Sequence, residues 1–189
     1  MKKWTIAAAA VGLLAGCSRT PPARIAELSA TKPVNEAPYL WTLGNAPQAH
    51  KDLVATFGRL GLKPGEYLWT SSIPADGEIR VVIDRLTQMG YVYRGDKLIG
   101  AATVSTARQG HITPLGEWTI LEKRPFYRSK KYDNAPMPWM ERIDEYGIAL
   151  HGGGTPGYPE SHGCIHLPTK FAEKLYGLTR IGTKVIIEG

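Results

Sequence analysis

Cysteine is scarce in this chain of 189 residues: there are two, Cys17 and Cys164. They form no Cys-x-x-Cys pair, which removes the common thiolate zinc frameworks, and two are too few for a disulfide-stapled miniature fold. Long apolar runs are lacking as well. The stretch from Trp4 to Leu14 comes nearest and is too short to span a bilayer. No internal repeat is evident, which sets aside solenoids and propellers. What remains is a chain of ordinary apolar content, with enough residues for one globular core.

The short run has a more specific reading. Met1-Lys2-Lys3 is a positive start, the apolar stretch follows, and Leu14-Ala15-Gly16-Cys17 places small residues at a cleavage point. Residues 1–16 therefore read as a secretory signal. The cysteine behind the small pair resembles the bacterial lipobox, in which Cys17 would carry the lipid and become the first mature residue. An ordinary signal peptide that happens to contain a cysteine is the alternative. If Cys17 is lipidated, Cys164 has no intramolecular partner in a disulfide-permissive compartment, and an unpaired thiol there points to intermolecular pairing or to chemistry. The formal charge is +6, and loss of Lys2 and Lys3 leaves 6 − 2 = +4. An exported chain of that charge would meet anionic wall polymer or lipid headgroups rather than nucleic acid; a merely solubilising surface charge explains it equally well.

Residues 18–35 are polar and rich in proline and read as a tether, and residues 17–76 as the lipidated cysteine, the tether and a short helical segment. Leu53, Val54, Phe57 and Leu60 make a helical stripe in residues 46–60, stopped by Gly61 and Pro64. From residue 77 onward β-branched and aromatic runs predict strands at 79–84, 89–94, 97–106, 117–123, 146–151 and 183–188. One further helix is expected at 168–178, with Pro168 in its first turn and Phe171, Leu175 and Leu178 on one face. The fold class expected is mainly β with one or two packed helices. Residues 124–142, with three prolines and several aromatics, read as a long functional loop, such as a lid.

The chemistry concentrates in Ser161-His162-Gly163-Cys164-Ile165-His166 and in His151-Gly152-Gly153. A thiolate is a strong nucleophile, and an imidazole can take its proton and return it to a leaving amine. Glycines beside both groups admit a close backbone approach. A thioester keeps the energy of the acyl group, so such a site needs no nucleotide and no cofactor. A zinc site built on His151, His162, Cys164 and His166 is the duller alternative, with weak ligand spacing. Tyr132, Met137, Trp139 and Met140 are either core or cleft lining, and Arg124, Arg128 and Arg142 either bind carboxylates or face solvent.

Residues 77–189 resemble the L,D-transpeptidase catalytic domain, known as YkuD. The resemblance rests on Thr113-Pro114-Leu115-Gly116-Glu117-Trp118-Thr119-Ile120, on Ala135-Pro136-Met137-Pro138, on Gly147-Ile148-Ala149-Leu150-His151-Gly152 and on the Ser-His-Gly-Cys box. It implies a β-sandwich-like fold with a catalytic-loop cysteine, and acyl transfer on peptidoglycan stem peptides. Cys164 takes the place of the nucleophile, His151 that of the base, and Gly152 that of the carbonyl that orients the base. Ser161, His162, Gly163 and His166 shape the site, with backbone N–H groups of 162–164 facing the oxyanion. His166 departs from the family, which commonly has Arg or Asn there. Slow acylation of Cys164 by carbapenems is a further implication. The acceptor would be an amine on a second stem or on a wall-attached protein. Hydrolysis by the same thiol, or a silent wall-binding lipoprotein, are the alternatives. The place expected is the envelope, anchored by lipid and facing the periplasm, with the outer membrane favoured.

Overall fold

The computed structural model describes Met1 and residues 44–189. The signal segment, Cys17 and the tether lie outside the described residues. Residues 44–189 fall within the second of two units, 33–189. In chain order the elements are α1 (Asn45–Phe57), β1 (Tyr67–Trp69), β2 (Ile79–Asp84), β3 (Met89–Arg94), β4 (Lys97–Thr103), β5 (Gly116–Thr119), β6 (Glu122–Arg124), β7 (Met140–Arg142), β8 (Ala149–Gly152), β9 (Ile165–Leu167), α2 (Thr169–Leu178) and β10 (Lys184–Glu188). The expected class, mainly β with packed helices, is the one observed.

A six-stranded sheet runs β1-β4-β3-β2-β10-β5, and a four-stranded sheet runs β6-β7-β8-β9. Each contains one parallel pair, β2 with β10 and β8 with β9. Strand alternation decides what each face buries. Val81 and Ile83 of β2 pack with Leu150 of β8, Ile165 and Leu167 of β9, and Phe171 and Leu175 of α2. Val82 of the same strand points the other way, with Tyr91, Tyr93 and Ile186, onto Ala46, Ala49 and Leu53 of α1. Each such aliphatic side chain contributes about 1.5–3 kcal/mol when fully buried. α1 and β1 are thus part of the packed body: β1 pairs with β4, and the buried stripe of α1 covers the sheet.

Two expectations change in more than their bounds, and the strand β9 was not expected. The strand expected at 117–123 is two, β5 and β6, in different sheets. Between them Ile120 donates to Thr183 O (3.0 Å) and Leu121 to Arg142 O (2.7 Å), so successive residues bond to opposite sheets. Residues 124–142 are a long hairpin rather than an irregular loop. Beyond the β6–β7 pairing its rungs continue through Trp139 N–H to Pro125 O, Met137 N–H to Tyr127 O and Ser129 N–H to Ala135 O, each 2.9 Å. Pro136 and Pro138 fall between these rungs, whereas Pro125 sits on one, giving its carbonyl to Trp139 and lacking the N–H that would return the bond. The segment behind Cys164 enters a strand directly, β9, too short for its period to be legible.

Candidate active site

β8 and β9 run parallel in the register Leu150↔Ile165, His151↔His166 and Gly152↔Leu167. Leu150, Ile165 and Leu167 face the core, so alternation turns His151 and His166 to the opposite face, and Cys164 with them. There Cys164 packs with Ala149, Met137, Met140 and Tyr127, the last three supplied by the hairpin. The rings of His151 and His166 lie 4.8 Å apart. The structure thus brings the thiol and two of the three candidate imidazoles onto one face of one sheet.

The loop before Cys164 is held by side chains that fold back on it. Ser161 Oγ donates to Cys164 O at 2.5 Å and accepts from Gly163 N–H at 3.0 Å. Thr113 Oγ1 donates to Gly163 O at 2.7 Å and accepts from Ala107 N–H at 2.9 Å. Thr113, of the Thr-Pro stretch, thereby ties that stretch to the thiol loop. Gly163 has φ +137°, and a Cβ on it would stand 2.6 Å from Ile148 Cδ1 and 3.0 Å from Ile112 O, so only glycine fits. The Gly163 N–H, one of the three expected to face the oxyanion, is given to Ser161 Oγ.

His151 Nδ1 lies 3.0 Å from Gly152 O. A carbonyl can only accept, so Nδ1 carries the proton and Nε2 keeps its lone pair. Gly152 is itself confined: its N–H donates to Pro138 O at 2.8 Å, and a Cβ would meet Pro138 Cγ and Thr169 Oγ1 at 3.1 Å. Burial, with the adjacent His166, lowers the pKa of His151 to about 4. Burial also raises the pKa of Cys164, with the Asp144 carboxylate adding to the shift and a backbone hydrogen bond at Ala149 opposing it. The thiol donates to Gly147 O over a long 3.7 Å. Both groups are therefore neutral at neutral pH. His166 has a buried Nδ1 without a hydrogen-bond partner among the described residues, 3.7 Å from Glu160 Oε1.

His162 behaves differently from the other two. It is exposed, with Tyr132 of the hairpin tip stacked on its ring at 4.3 Å and His111 set edge-on at 4.8 Å. Arg108 Nη2 lies 2.7 Å from its Nε2. Nothing in the sequence marked Arg108, because it reaches the box only through a turn 54 residues upstream. Tyr132 and Trp139 are partly buried, whereas Met137 and Met140 are core. Of the three arginines left open by sequence, Arg124 and Arg142 share Glu122, and Arg128 donates to Asn134 O. No group of three His, Cys, Asp or Glu side chains able to hold a metal occurs among the described residues.

The family model for the L,D-transpeptidase catalytic domain, YkuD, matches residues 78–187. The chain belongs to this family. Its similarity to the Bacillus subtilis protein named "Putative L,D-transpeptidase YqjB" is 26% identity over 129 residues, covering 60% of this chain and 73% of that one. The L,D-transpeptidase (Yku) structure from Stackebrandtia nassauensis has a TM-score of 0.55 at 27% identity, covering 64% of this chain and 62% of the other. An L,D-transpeptidase from Mycobacterium smegmatis shares the fold, with a TM-score of 0.55 at 20% identity over 59% of each chain. This YkuD-family chain spans about three fifths of the length of the solved structures it matches.

Proposed function

We propose that the chain is a peptidoglycan L,D-transpeptidase that works through a thioester on Cys164. The observation that carries this reading is the single tautomer of His151, whose Nδ1–H is spent on Gly152 O while Nε2 stays free on the face shared with Cys164. With the thiol raised and the imidazole lowered, no thiolate–imidazolium pair stands ready in the free protein. Proton transfer is instead coupled to attack on substrate, and apo hydrogen bonds in such sites tighten once substrate is bound.

His151 Nε2 removes the proton of the Cys164 thiol as sulfur bonds to the carbonyl carbon of the third stem residue. The carbonyl oxygen takes the negative charge, facing backbone N–H groups of the thiol loop. As the carbonyl re-forms, the carbon–nitrogen bond breaks, and the imidazolium gives its proton to the departing amine of the terminal D-alanine. In the second half His151 takes a proton from an amine acceptor while its nitrogen attacks the thioester, and sulfur leaves and is reprotonated. Water in place of the amine gives the hydrolytic reading. The N-terminal sequence supports anchoring through Cys17, which would bring the domain to the wall from a membrane surface.

Incubation of the protein with disaccharide-tetrapeptide, followed by mass spectrometry, tests the reading. Release of D-alanine together with a cross-linked product, a transient acyl mass on Cys164, and loss of both in Cys164→Ala are expected. Tripeptide without cross-link would replace transfer by hydrolysis. Full turnover by Cys164→Ala would end the thioester mechanism. For the anchor, native chain found in the soluble fraction, or lacking acyl chains on Cys17, would end the lipoprotein reading.

A further inference from the structure

Arg108 stands beside the thiol loop by construction. Its backbone N–H donates to Ser161 O at 2.9 Å, and its carbonyl accepts from His111 N–H at 3.0 Å, closing a turn through Gly110 at φ +82°. The guanidinium has only donors, so the 2.7 Å contact makes His162 Nε2 the acceptor and leaves the His162 proton on Nδ1. Desolvation, Arg108, His111 and Lys131 all press the pKa of His162 down, in keeping with a neutral ring. Tyr132 pins one face of that ring, and the Lys131 ammonium lies 5.2 Å from the centre of the Tyr132 ring.

The basic side chains divide into those with a carboxylate partner and those without. Arg59, Arg142, Arg180 and Lys184 each have a carboxylate partner. Neither Arg108 nor Lys131 forms an ion pair with any described residue, and Asp133 beside them pairs with neither. One Arg108 N–H is used on His162, which stands two residues before Cys164, and the Arg108 side chain is exposed. A fork of N–H groups with a second cation and a fixed imidazole N–H close by is a geometry for a carboxylate.

We infer that Arg108, Lys131 and His162 form a carboxylate-binding subsite beside the Cys164 loop, taking a free carboxylate of the stem peptide. This deepens the transpeptidase reading and rests on it for the identity of the substrate, while the subsite itself is a property of the fold. The carboxylate comes from one of two places on a donor: the terminal D-residue, or an acidic side chain on the third residue. The role of His162 is then to orient the guanidinium and donate through Nδ1, distinct from that of the base.

Alkylation of Cys164 tests the subsite without any turnover. Iodoacetate carries a carboxylate and iodoacetamide does not, and both react with the same thiolate, so their rate ratio is independent of thiol pKa. With adducts read at Cys164 by peptide mass in the full chain, Arg108→Gln should lower the iodoacetate-to-iodoacetamide ratio by about tenfold, a charged hydrogen bond discounted for exposure. Lys131→Gln should lower it less, Arg108→Lys should keep part of it, and Arg124→Gln should leave it as it is. An unchanged ratio in Arg108→Gln, or an equal fall in Arg124→Gln, overturns the inference. Iodoacetamide rates close to those of the parent show that the variants remain folded.

Stem tetrapeptides then name the source. If the loss of kcat/KM in Arg108→Gln disappears on a C-terminal carboxamide, the terminal carboxylate occupies the subsite. If it disappears only when the third residue's side-chain carboxyl is amidated, that group does. An equal loss on all three substrates overturns the assignment to a stem carboxylate. Absence of turnover in the parent, with the alkylation ratio still sensitive to Arg108, would end the transpeptidase reading and leave the subsite standing.

Discussion

In the proposed mechanism the charge states of two side chains govern the chemistry. His151 is buried with its Nδ1–H on a carbonyl, and its pKa falls to about 4. It is therefore an available base throughout the neutral range, and the acid limb of kcat/KM on stem peptide should lie well below the ordinary histidine value near 6.5. Cys164 is raised by burial, so the fraction of thiolate is small at neutral pH and increases through alkaline pH. Alkylation of the free protein by iodoacetamide should climb steadily from pH 7 past the ordinary thiol range. A plateau already reached at pH 7 would reveal a preformed thiolate–imidazolium pair and refute the substrate-coupled transfer described above. The box of residues 161–166 was legible in the sequence because cysteine is rare here and sits among histidines and glycines. Its wiring was not, since Thr113 and Arg108 reach it from distant segments.

At the scale of elements, the β6–β7 hairpin is fastened to α2 by a buried pair. Lys123 and Glu141 face each other across the hairpin register, with Lys123 Nζ 3.4 Å from Glu141 Oε1. The same ammonium closes the C-terminal end of α2, donating to Tyr176 O and Thr179 O at 2.6 Å each. Glu141 also receives the Thr179 hydroxyl. Burial outweighs both partners and raises the pKa of Glu141 to about 7, above the ordinary 4.5. The folded state therefore holds a proton that the unfolded chain releases between these values. The corresponding stability is fully present below pH 4.5 and is lost as pH rises through about 7. Glu141→Gln should then compare more favourably with the parent at pH 8 than at pH 5 in denaturant titrations. Removing the counterion instead, in Lys123→Met, should cost about 3–5 kcal/mol above pH 7, where the carboxylate stays buried alone. An identical Glu141→Gln effect at both pH values would show that the carboxyl does not titrate in this window.

Across the whole molecule, α1 is held by the far end of the chain. Gly44 precedes it in a left-handed conformation and offers no side-chain cap. The cap comes from Glu188, at the end of β10: its Oε1 accepts from Asn45 N–H at 3.1 Å and from Asn45 Nδ2 at 3.0 Å, and its Oε2 accepts from Ala46 N–H at 2.7 Å. A carboxylate at a helix N-terminus meets both the free N–H groups and the positive end of the dipole. Glu188→Gln should lower stability by about 1–3 kcal/mol, and hydrogen exchange should open the amides of 45–57 before those of the central strands. Equal protection of α1 in parent and variant would show that packing of Ala46, Ala49 and Leu53 holds the helix unaided.

The mainly β class, the long central strands and both helices follow from the sequence by itself, because residues two or four apart carry their own periodicity. The thiol and imidazole box follows from rare residue types in close succession. Tertiary structure alone decided the rest. β1, β7 and β9, at three residues each, are too short to show a period, and pairing with neighbours makes them strands. The passage between sheets at Ile120 and Leu121 depends on which backbone faces each N–H. The caps supplied by Glu188 and Lys123, the tautomers of His151 and His162, and the meeting of Arg108, Tyr132 and His162 likewise belong to contacts across long stretches of chain. Local sequence carries no record of such contacts, since the free energy that selects them arises only when distant segments pack together.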